Sequence, residues 1–378
     1  MCDFDGDKLC PDGLTCGSSG VCGAAGSACD ACFGQPDGLL RVCLATRPTG
    51  TFLVGSDNLQ IDTTPGSDSM CVAYPQPASG ALGVCLVAVK TISIEGKLGV
   101  VGSRPLVLLA SGTLTFDDTG AIDAAADSSR AAPAGPGGPG AGEPCVAGVA
   151  GIGNAHGGAG GSFGTAGGAG GIGVSGGTPD EAGPVTGTLD HVRAGCAGSP
   201  GSEPMTPQGA EGGAVYLIAG GSMSIAGRID ASGAGGAANS GSDVGGAGGG
   251  TGGLIGLDAP SIVFLGGALM ANGGGGGCGR RLGGDNQCLG LAPTFPVSSA
   301  APFAPAGGGS ADGWDSIGGN GATDDLATPG TPGGAASDTS PFGGAGGGGG
   351  AGILWFATGG TSPDVSAIRM SPQPVTHR

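Results

Sequence analysis

The sequence predicts an all-β protein, a parallel β-helix with long Gly-rich inserts behind a small Cys-rich module. Three observations lead to this prediction: a repeat of alternating apolar residues, 92 glycines among 378 residues, and seven cysteines within the first 43 positions. Aromatic residues make up 4% and charged residues 11% of the chain, too few large side chains for a helical or α/β enzyme core. We expect a disulfide-rich module over 1–45 and a β-helix with its inserts over 46–378.

The repeat consists of short copies, each typical of three strands separated by turns. Uninterrupted copies are offset by 22 residues, from Thr91 to Thr113, which is about one coil of a parallel β-helix. Stacked coils bury like residues on like in a narrow core. Four clear copies and a capping copy that begins at Ile353 predict about five coils, and 51–63 resembles a degenerate first copy. The inward positions of the middle strands are predicted to be Ile92, Ile94, Leu114, Phe116, Met223, Ile225, Ile262 and Phe264.

The Gly-rich inserts, at 131–213, 234–253 and 274–352, each follow the third strand of a copy. We therefore expect them to leave the β-helix at one corner. Two alternatives remain open for their structure: extended threads packed like polyglycine II, with three residues per turn, or flexible linkers. The first strand of each copy is apolar on both faces and needs cover on both. The sequence predicts that the inserts fold back over it.

The 13 cysteines indicate disulfides and an oxidising compartment, because the head lacks the paired Cys-x2-Cys knuckles of a zinc ribbon. Beyond the head, the disulfide candidates are Cys71, Cys85, Cys145, Cys196, Cys278 and Cys288. Pairs of Cys145 with Cys196 and of Cys278 with Cys288 would staple two inserts. An odd count leaves one cysteine over, and Cys2 is a candidate for a lipid anchor, as in bacterial lipoproteins. No signal peptide precedes Cys2 in this chain, so the alternative is a missing leader.

The head segment Cys10-Pro-Asp-Gly-Leu-Thr-Cys16 and the Gly-rich continuation of the copy at 222–236 carry a resemblance to a known group. They resemble Gly-rich secreted surface proteins of myxobacterial type. The copies also resemble the right-handed parallel β-helix class that includes pectin lyases and phage tailspikes. This resemblance implies a right-handed β-helix and an extracellular or outer-cell-surface location. The group has no established catalytic residues, so the resemblance transfers none to this chain.

The outward positions of the middle strands predict a ligand face of small hydroxyl groups. Two parallel files of hydroxyls would form on a flat sheet, similar to the ice-binding surfaces of antifreeze proteins. The alternative is that small hydroxyl residues simply suit exposed strands. The candidate residues are Thr91, Ser93, Thr113, Thr115, Ser222, Ser224 and Ser261.

Acidic residues form two weaker candidates for a Ca²⁺ site. Asp123 and Asp230 occupy equivalent outward positions in successive copies, near Arg228, and like charges at that spacing repel unless a cation or a basic residue intervenes. The other candidate, which matches only part of an EF-hand loop, is the group Asp3, Asp5 and Asp7. Solvated turn residues are the alternative at both places. His191 lies between an acid and a base, but no Gly-x-Ser-x-Gly elbow supplies a nucleophile.

Charge and composition narrow the function. A net charge of −17 disfavours nucleic acid, which requires a basic surface, and no run of about 20 apolar residues predicts a transmembrane segment. A polysaccharide or another cell-surface polymer suits the composition as a partner. We expect a non-enzymatic structural or adhesive protein, without a cofactor other than Ca²⁺. The alternatives are a carbohydrate-active lyase or hydrolase and binding to ice or another crystal surface through the hydroxyl face.

Overall fold

The computed structural model describes most of the strand-forming chain and part of each insert. It covers residues 31–67, 70–78, 81–126, 138, 140, 144–146, 148–152, 155–173, 177–186, 188–202, 208–237, 245–279, 308, 318–322, 330–335, 343–360 and 362–376, with the backbone of 14–16 and 22–24. These residues contain 22 strands, here numbered in chain order, and no helix.

Three sheets contain most of the strands. The seven-stranded sheet consists of β7 (Val72–Tyr74), β8 (Val84–Val89), β11 (Leu106–Ala110), β14 (Ala214–Ala219), β17 (Leu254–Asp258), β20 (Ile353–Ala357) and β22 (Val375–Thr376). The six-stranded sheet consists of β6 (Leu59–Asp62), β10 (Lys97–Val101), β13 (Ala121–Asp123), β16 (Arg228–Asp230), β19 (Ala268–Met270) and β21 (Arg369–Ser371). The five-stranded sheet consists of β5 (Thr51–Val54), β9 (Thr91–Ile94), β12 (Leu114–Phe116), β15 (Ser222–Ile225) and β18 (Ser261–Phe264). Two hairpins, β1 (Leu14–Cys16) with β2 (Cys22–Ala24) and β3 (Ala31–Phe33) with β4 (Val42–Leu44), precede them.

The prediction of a right-handed parallel β-helix of about five coils is wrong. The strands form separate, mostly parallel sheets of seven, six and five members, and no closed solenoid is found in the part of the chain that the structure describes. At one end β7 runs antiparallel to β8. The physical reason is that a repeat in sequence determines which strands lie side by side, whereas closure depends on the connections. Only the copies at β8–β10 and β11–β13 follow each other without an insert.

The three sheets share one apolar core. Inward residues of the middle strands are buried as the alternation predicts, with Ile92, Ile94, Leu114 and Met223 all at 0% exposure. In-register parallel pairing stacks equivalent residues, so that Leu108 lies between Val87 and Leu217. Because each strand is short, the core depends on this stacking of one strand on the next.

The outer face of the seven-stranded sheet is also buried. Phe163 and Val192 from the first insert cover part of it, in line with the prediction. Phe33, Leu40 and Val42 of the β3–β4 hairpin cover another part, which the sequence did not predict. A strand that is apolar on both faces is therefore covered from two distant parts of the chain.

A buried polar group fastens the hairpin to this sheet. The Tyr216 hydroxyl donates a hydrogen bond of 2.9 Å to Asp258 Oδ2 and accepts one of 2.9 Å from the Leu39 backbone N–H. Asp258 Oδ1 accepts a further bond of 2.8 Å from the Gln35 N–H. The contact is so close that a Cβ on Gly38 would lie 2.2 Å from the Asp258 carboxylate. Burial raises the pKa of Asp258 to about 7, although hydrogen bonds from Gln35 and Tyr216 oppose the rise.

The raised pKa of Asp258 predicts that stability falls as pH rises. The folded state holds the proton more tightly than the unfolded chain, so this contribution is complete below about pH 4 and is lost as pH rises through about 7. Its upper limit is on the order of 4 kcal/mol. In urea denaturation at pH 5 and pH 8, we expect the Asp258→Asn variant to lose less stability between the two pH values than the natural protein. Asp57→Asn, in an exposed turn, is the control, and equal pH dependence in the natural protein and Asp258→Asn would contradict the prediction.

The described parts of the inserts are ordered by backbone hydrogen bonds. Segments 155–164, 245–253 and 343–352 bond to one another in a triangle: Gly158 N–H donates to Gly246 O (2.8 Å), Gly246 N–H to Gly344 O (2.9 Å), and Gly344 N–H to Ala155 O (2.7 Å). The pattern recurs three residues later with the bonds Gly161 to Gly249, Gly249 to Gly347 and Gly347 to Gly158. This is the period of an extended chain with three residues per turn. Residues between these positions donate to other segments, as Gly248 does to Ser199 O (2.9 Å).

Glycine is required in this layer because the backbones touch. A Cβ on Gly248 would lie 1.9 Å from the Ala159 carbonyl oxygen, whereas a Cβ on Gly55, in a surface turn, would meet nothing within 4 Å. We expect Gly248→Ala to lower the free energy of unfolding by about 2 kcal/mol or more, as overpacking against an immovable backbone does. The matched variant Gly55→Ala is expected to change it by less than about 1 kcal/mol. Urea denaturation of both variants tests this, and equal stabilities would show that the layer yields easily.

Three complete disulfides lie in the described residues. Cys145–Cys196 and Cys71–Cys85 join candidates from the sequence, and Cys32–Cys43 joins β3 to β4. Cys278 is also disulfide-bonded, whereas Cys288 lies outside the described residues. These bonds indicate a non-reducing environment.

Candidate functional site

The predicted hydroxyl residues lie together on the outward surface of the five-stranded sheet, which we call the hydroxyl face. Parallel pairing places Thr91 beside Thr51, Thr115 between Ser93 and Ser224, and Ser222 beside Ser261. Thr113 directly precedes β12 and accepts a hydrogen bond from Ile92 at its carbonyl oxygen, which aligns it with Thr91. The structure thus adds Thr51 to the seven predicted residues. The first file runs Thr51, Thr91, Thr113, Ser222, Ser261, and the second runs Leu53, Ser93, Thr115, Ser224, Val263.

Most of these hydroxyl groups are available to a ligand. Within the described residues, the side-chain hydroxyls of the entire first file and of Ser224 form no hydrogen bond to protein. Ser93 is an exception, because it donates to Glu95 Oε1 at 3.0 Å. Thr115 is another, with long contacts from its hydroxyl to the Ile92 carbonyl oxygen (3.4 Å) and to the Ser93 hydroxyl (3.5 Å). All eight residues are exposed or partly exposed. The strand pleat explains this, because their neighbours Ile92, Leu114 and Met223 point into the core.

Apolar side chains end the second file at both edges of the sheet. Leu53 is 55% exposed on β5 and Val263 is 45% exposed on β18. Acidic groups flank the face at the turns after two of its five strands, Glu95 after β9 and Asp117 after β12. The face therefore combines neutral hydroxyls with apolar and acidic margins.

Asp123 and Asp230 are adjacent, as predicted, because β13 and β16 pair them in register. Lys97 Nζ lies 2.6 Å from Asp123 Oδ2, in a groove of about 590 Å³ on the six-stranded sheet. Lys97 belongs to β10, on the side of β13 away from Asp230, so it pairs with Asp123 without separating the two aspartates. Burial raises the pKa of Asp230 to about 7 and the charge of Asp123 adds to the rise, whereas Ser232 and Arg228 oppose it. The described residues contain no cluster of three or more His, Cys, Asp or Glu side chains placed to hold a metal ion. Asp3, Asp5 and Asp7 lie outside them, so the Ca²⁺ prediction there stays untested.

Sequence reasoning missed a cleft of about 690 Å³ in the Gly-rich layer. His156 and Asp180 line it, and their side chains are almost entirely buried, with His156 Nδ1 3.3 Å from Asp180 Oδ1. Asp180 Oδ1 also accepts the Gly151 N–H at 2.6 Å, and Asp180 Oδ2 accepts the hydroxyl of Ser199. Ala155, directly before His156, has φ of 61°, the only positive φ of a non-glycine residue in the described chain.

The one sequence feature that could have indicated this cleft is the rarity of histidine in the chain. The chain has three histidines, and His156 is the one inside a glycine run, where a large polar side chain needs an explanation. Its partner Asp180 is 24 positions away along a thread without a strand, so neither period two nor a motif connects them. The residue that we did consider, His191, contacts the exposed Asp190 at 2.5 Å from Nδ1.

Comparisons with known proteins give this chain no relative. No protein-family model, no curated protein and no solved structure matches it. Among the described residues there is also no helix with the length and apolar character needed to cross a bilayer.

Proposed function

We propose that this protein is a non-enzymatic adhesive protein that binds a flat, hydroxyl-rich polymer through the hydroxyl face. The observation that carries this proposal is the alignment of unbonded hydroxyls: five in register in the first file, beside Ser224 in the second. Each hydroxyl donates one hydrogen bond and accepts others, so the face complements a ligand with the same dual chemistry.

The spacing of the face favours a repetitive ligand. Neighbouring strands lie about 4.8 Å apart and alternate residues along a strand about 6.7 Å apart, which creates a regular grid. One hydroxyl contact contributes little net free energy, so affinity requires many such contacts in register. A polysaccharide chain or a bundle of chains meets this requirement. The net charge of −17 further favours a neutral polymer over a polyanion.

The location that suits this function is the cell exterior or outer cell surface. Disulfides support it because they persist in oxidising compartments. The resemblance to secreted surface proteins and the lipid anchor at Cys2 remain predictions that agree with this location, and Cys2 lies outside the described residues.

Binding to insoluble polysaccharide tests the proposal. We expect the oxidised protein to sediment with cellulose, chitin or isolated cell walls. Thr115→Tyr is expected to reduce retention at least about fivefold, because a ring standing above the second file prevents flat contact. Gln60→Tyr places the same ring on an exposed strand position of the six-stranded sheet and is expected to retain binding.

The outcomes separate the competing functions. Retention that Thr115→Tyr abolishes and Gln60→Tyr preserves supports adhesion through the hydroxyl face. Equal retention of the two variants would place binding elsewhere and reject the proposal. Oligosaccharides released into the supernatant, detected by mass spectrometry, would show a carbohydrate-active enzyme instead.

A second candidate function, ice binding, is favoured by three adjacent threonines in the first file. Thr51, Thr91 and Thr113 each present a methyl group beside a hydroxyl, and no described residue bonds to those hydroxyls. Ice binding predicts thermal hysteresis that disappears in Thr113→Tyr and persists in Gln60→Tyr. A freezing-point gap of zero in the natural protein at about 1 mM would exclude this candidate.

A further inference from the structure

The cleft in the Gly-rich layer has a lining rich in hydrogen-bond acceptors. Asp180, Glu181 and Glu211 contribute three carboxyl groups, and no Lys or Arg is among its described lining residues. A ligand that supplies hydrogen-bond donors and positive charge would complement this lining.

His156 provides a further acceptor beside the acids. The residue is 9% exposed, and its buried Nδ1 has no hydrogen-bond partner in the described chain although Asp180 Oδ1 is near. The adjacent carboxylate favours the tautomer with the proton on Nδ1, which leaves a lone pair on Nε2. Nε2 bonds to no described residue, so its lone pair is unused within the described part of the chain.

The backbone holds this imidazole in place at a conformational cost. Ala155 has φ of 61°, a region that residues with a Cβ rarely adopt. Its carbonyl accepts the Gly344 N–H at 2.7 Å, and the His156 carbonyl accepts the Ser202 N–H at 3.1 Å. Backbone strain of this kind, held in place by neighbouring hydrogen bonds, is frequent at binding sites.

One wall of the cleft is apolar. Val146 and Val149 line it beside the Cys145–Cys196 disulfide, and these valines are 70% and 65% exposed. A ligand with a carbon skeleton next to its charged group would cover them.

We propose that this cleft binds a primary ammonium group carried on a carbon skeleton, with the ammonium between His156 Nε2 and the carboxylate of Glu181. Two kinds of ligand carry such an ammonium group: an amino sugar within a polymer and a free aliphatic polyamine. The site is separate from the hydroxyl face, so its success or failure does not depend on the function proposed above.

Histidine NMR tests this site directly, because the chain has three histidines and two of them, His191 and His377, serve as internal references. In protein labelled with ¹⁵N-histidine, we expect the unliganded His156 ring to show the Nδ1-protonated tautomer. Titration with the β-1,4-linked glucosamine disaccharide, and separately with spermidine, is expected to shift the His156 signals saturably at about 1 mM or below. The N-acetylated disaccharide lacks the ammonium groups and is expected to leave them unchanged.

Variants make the test specific. Glu181→Gln, at an exposed position, is expected to weaken binding about threefold to tenfold and to preserve the fold. Glu95→Gln, beside the hydroxyl face, is expected to bind like the natural protein. A response to the disaccharide alone supports an amino-sugar ligand, and a response to both amines supports a general ammonium site. No saturable shift, an equal shift with the N-acetylated disaccharide, or equal affinity in Glu181→Gln would overturn the proposal.

Discussion

The structure depends on parallel pairing of equivalent strands in register. Each strand has three to six residues in most copies and buries little by itself, so its stability comes from the strand above and the strand below. The same register has a second consequence on the outer surface. Because equivalent residues stack, any outward position that repeats as Ser or Thr becomes a continuous file. In-register pairing therefore produces both the core of leucine, isoleucine and valine and the hydroxyl face of the five-stranded sheet.

The Gly-rich layer is also held together by hydrogen bonds between neighbouring segments, although it has no core of large side chains. It lacks the side chains for a conventional core, and ordering glycine costs more conformational entropy than ordering any other residue. Backbone hydrogen bonds offset that cost here, with a donor directed to a different neighbouring segment at successive positions of 245–253. Close approach permits this, since a Cβ at Gly248 or Gly346 would fall 1.9 Å from a carbonyl oxygen. Phe163 and Val192 then connect the layer to the seven-stranded sheet, and Cys145–Cys196 joins two of its segments.

The alternation of apolar and polar residues predicted the strands and the direction of their side chains, but it did not predict contacts between segments that are distant in sequence. Alternation around Thr91, Thr113, Ser222 and Ser261 placed the strands, their buried side and the hydroxyl face, and the 22-residue offset identified which strands are neighbours. Closure of the β-helix was predicted wrongly because no repeat specifies how sheets join. The docking of Gln35 and Leu39 onto Asp258 and Tyr216 spans about 180 to 220 positions and depends on single side chains. His156 and Asp180 were missed for the same reason, since a thread of glycines carries no pattern that indicates which side chains meet.

The two surfaces differ in a way that follows from what surrounds them. On the hydroxyl face, groups that both donate and accept are held on a sheet in water, so each contact is weak and recognition requires a long ligand that meets many of them. In the cleft, a few groups are held by backbone around a largely buried imidazole, where lower solvation would strengthen the contact with that imidazole and a small ligand would suffice. We therefore propose extended, repetitive ligands for the sheet and compact, charged ones for the glycine layer. A polymer of amino sugars would suit both proposed sites, because it presents hydroxyls in a regular row together with primary ammonium groups.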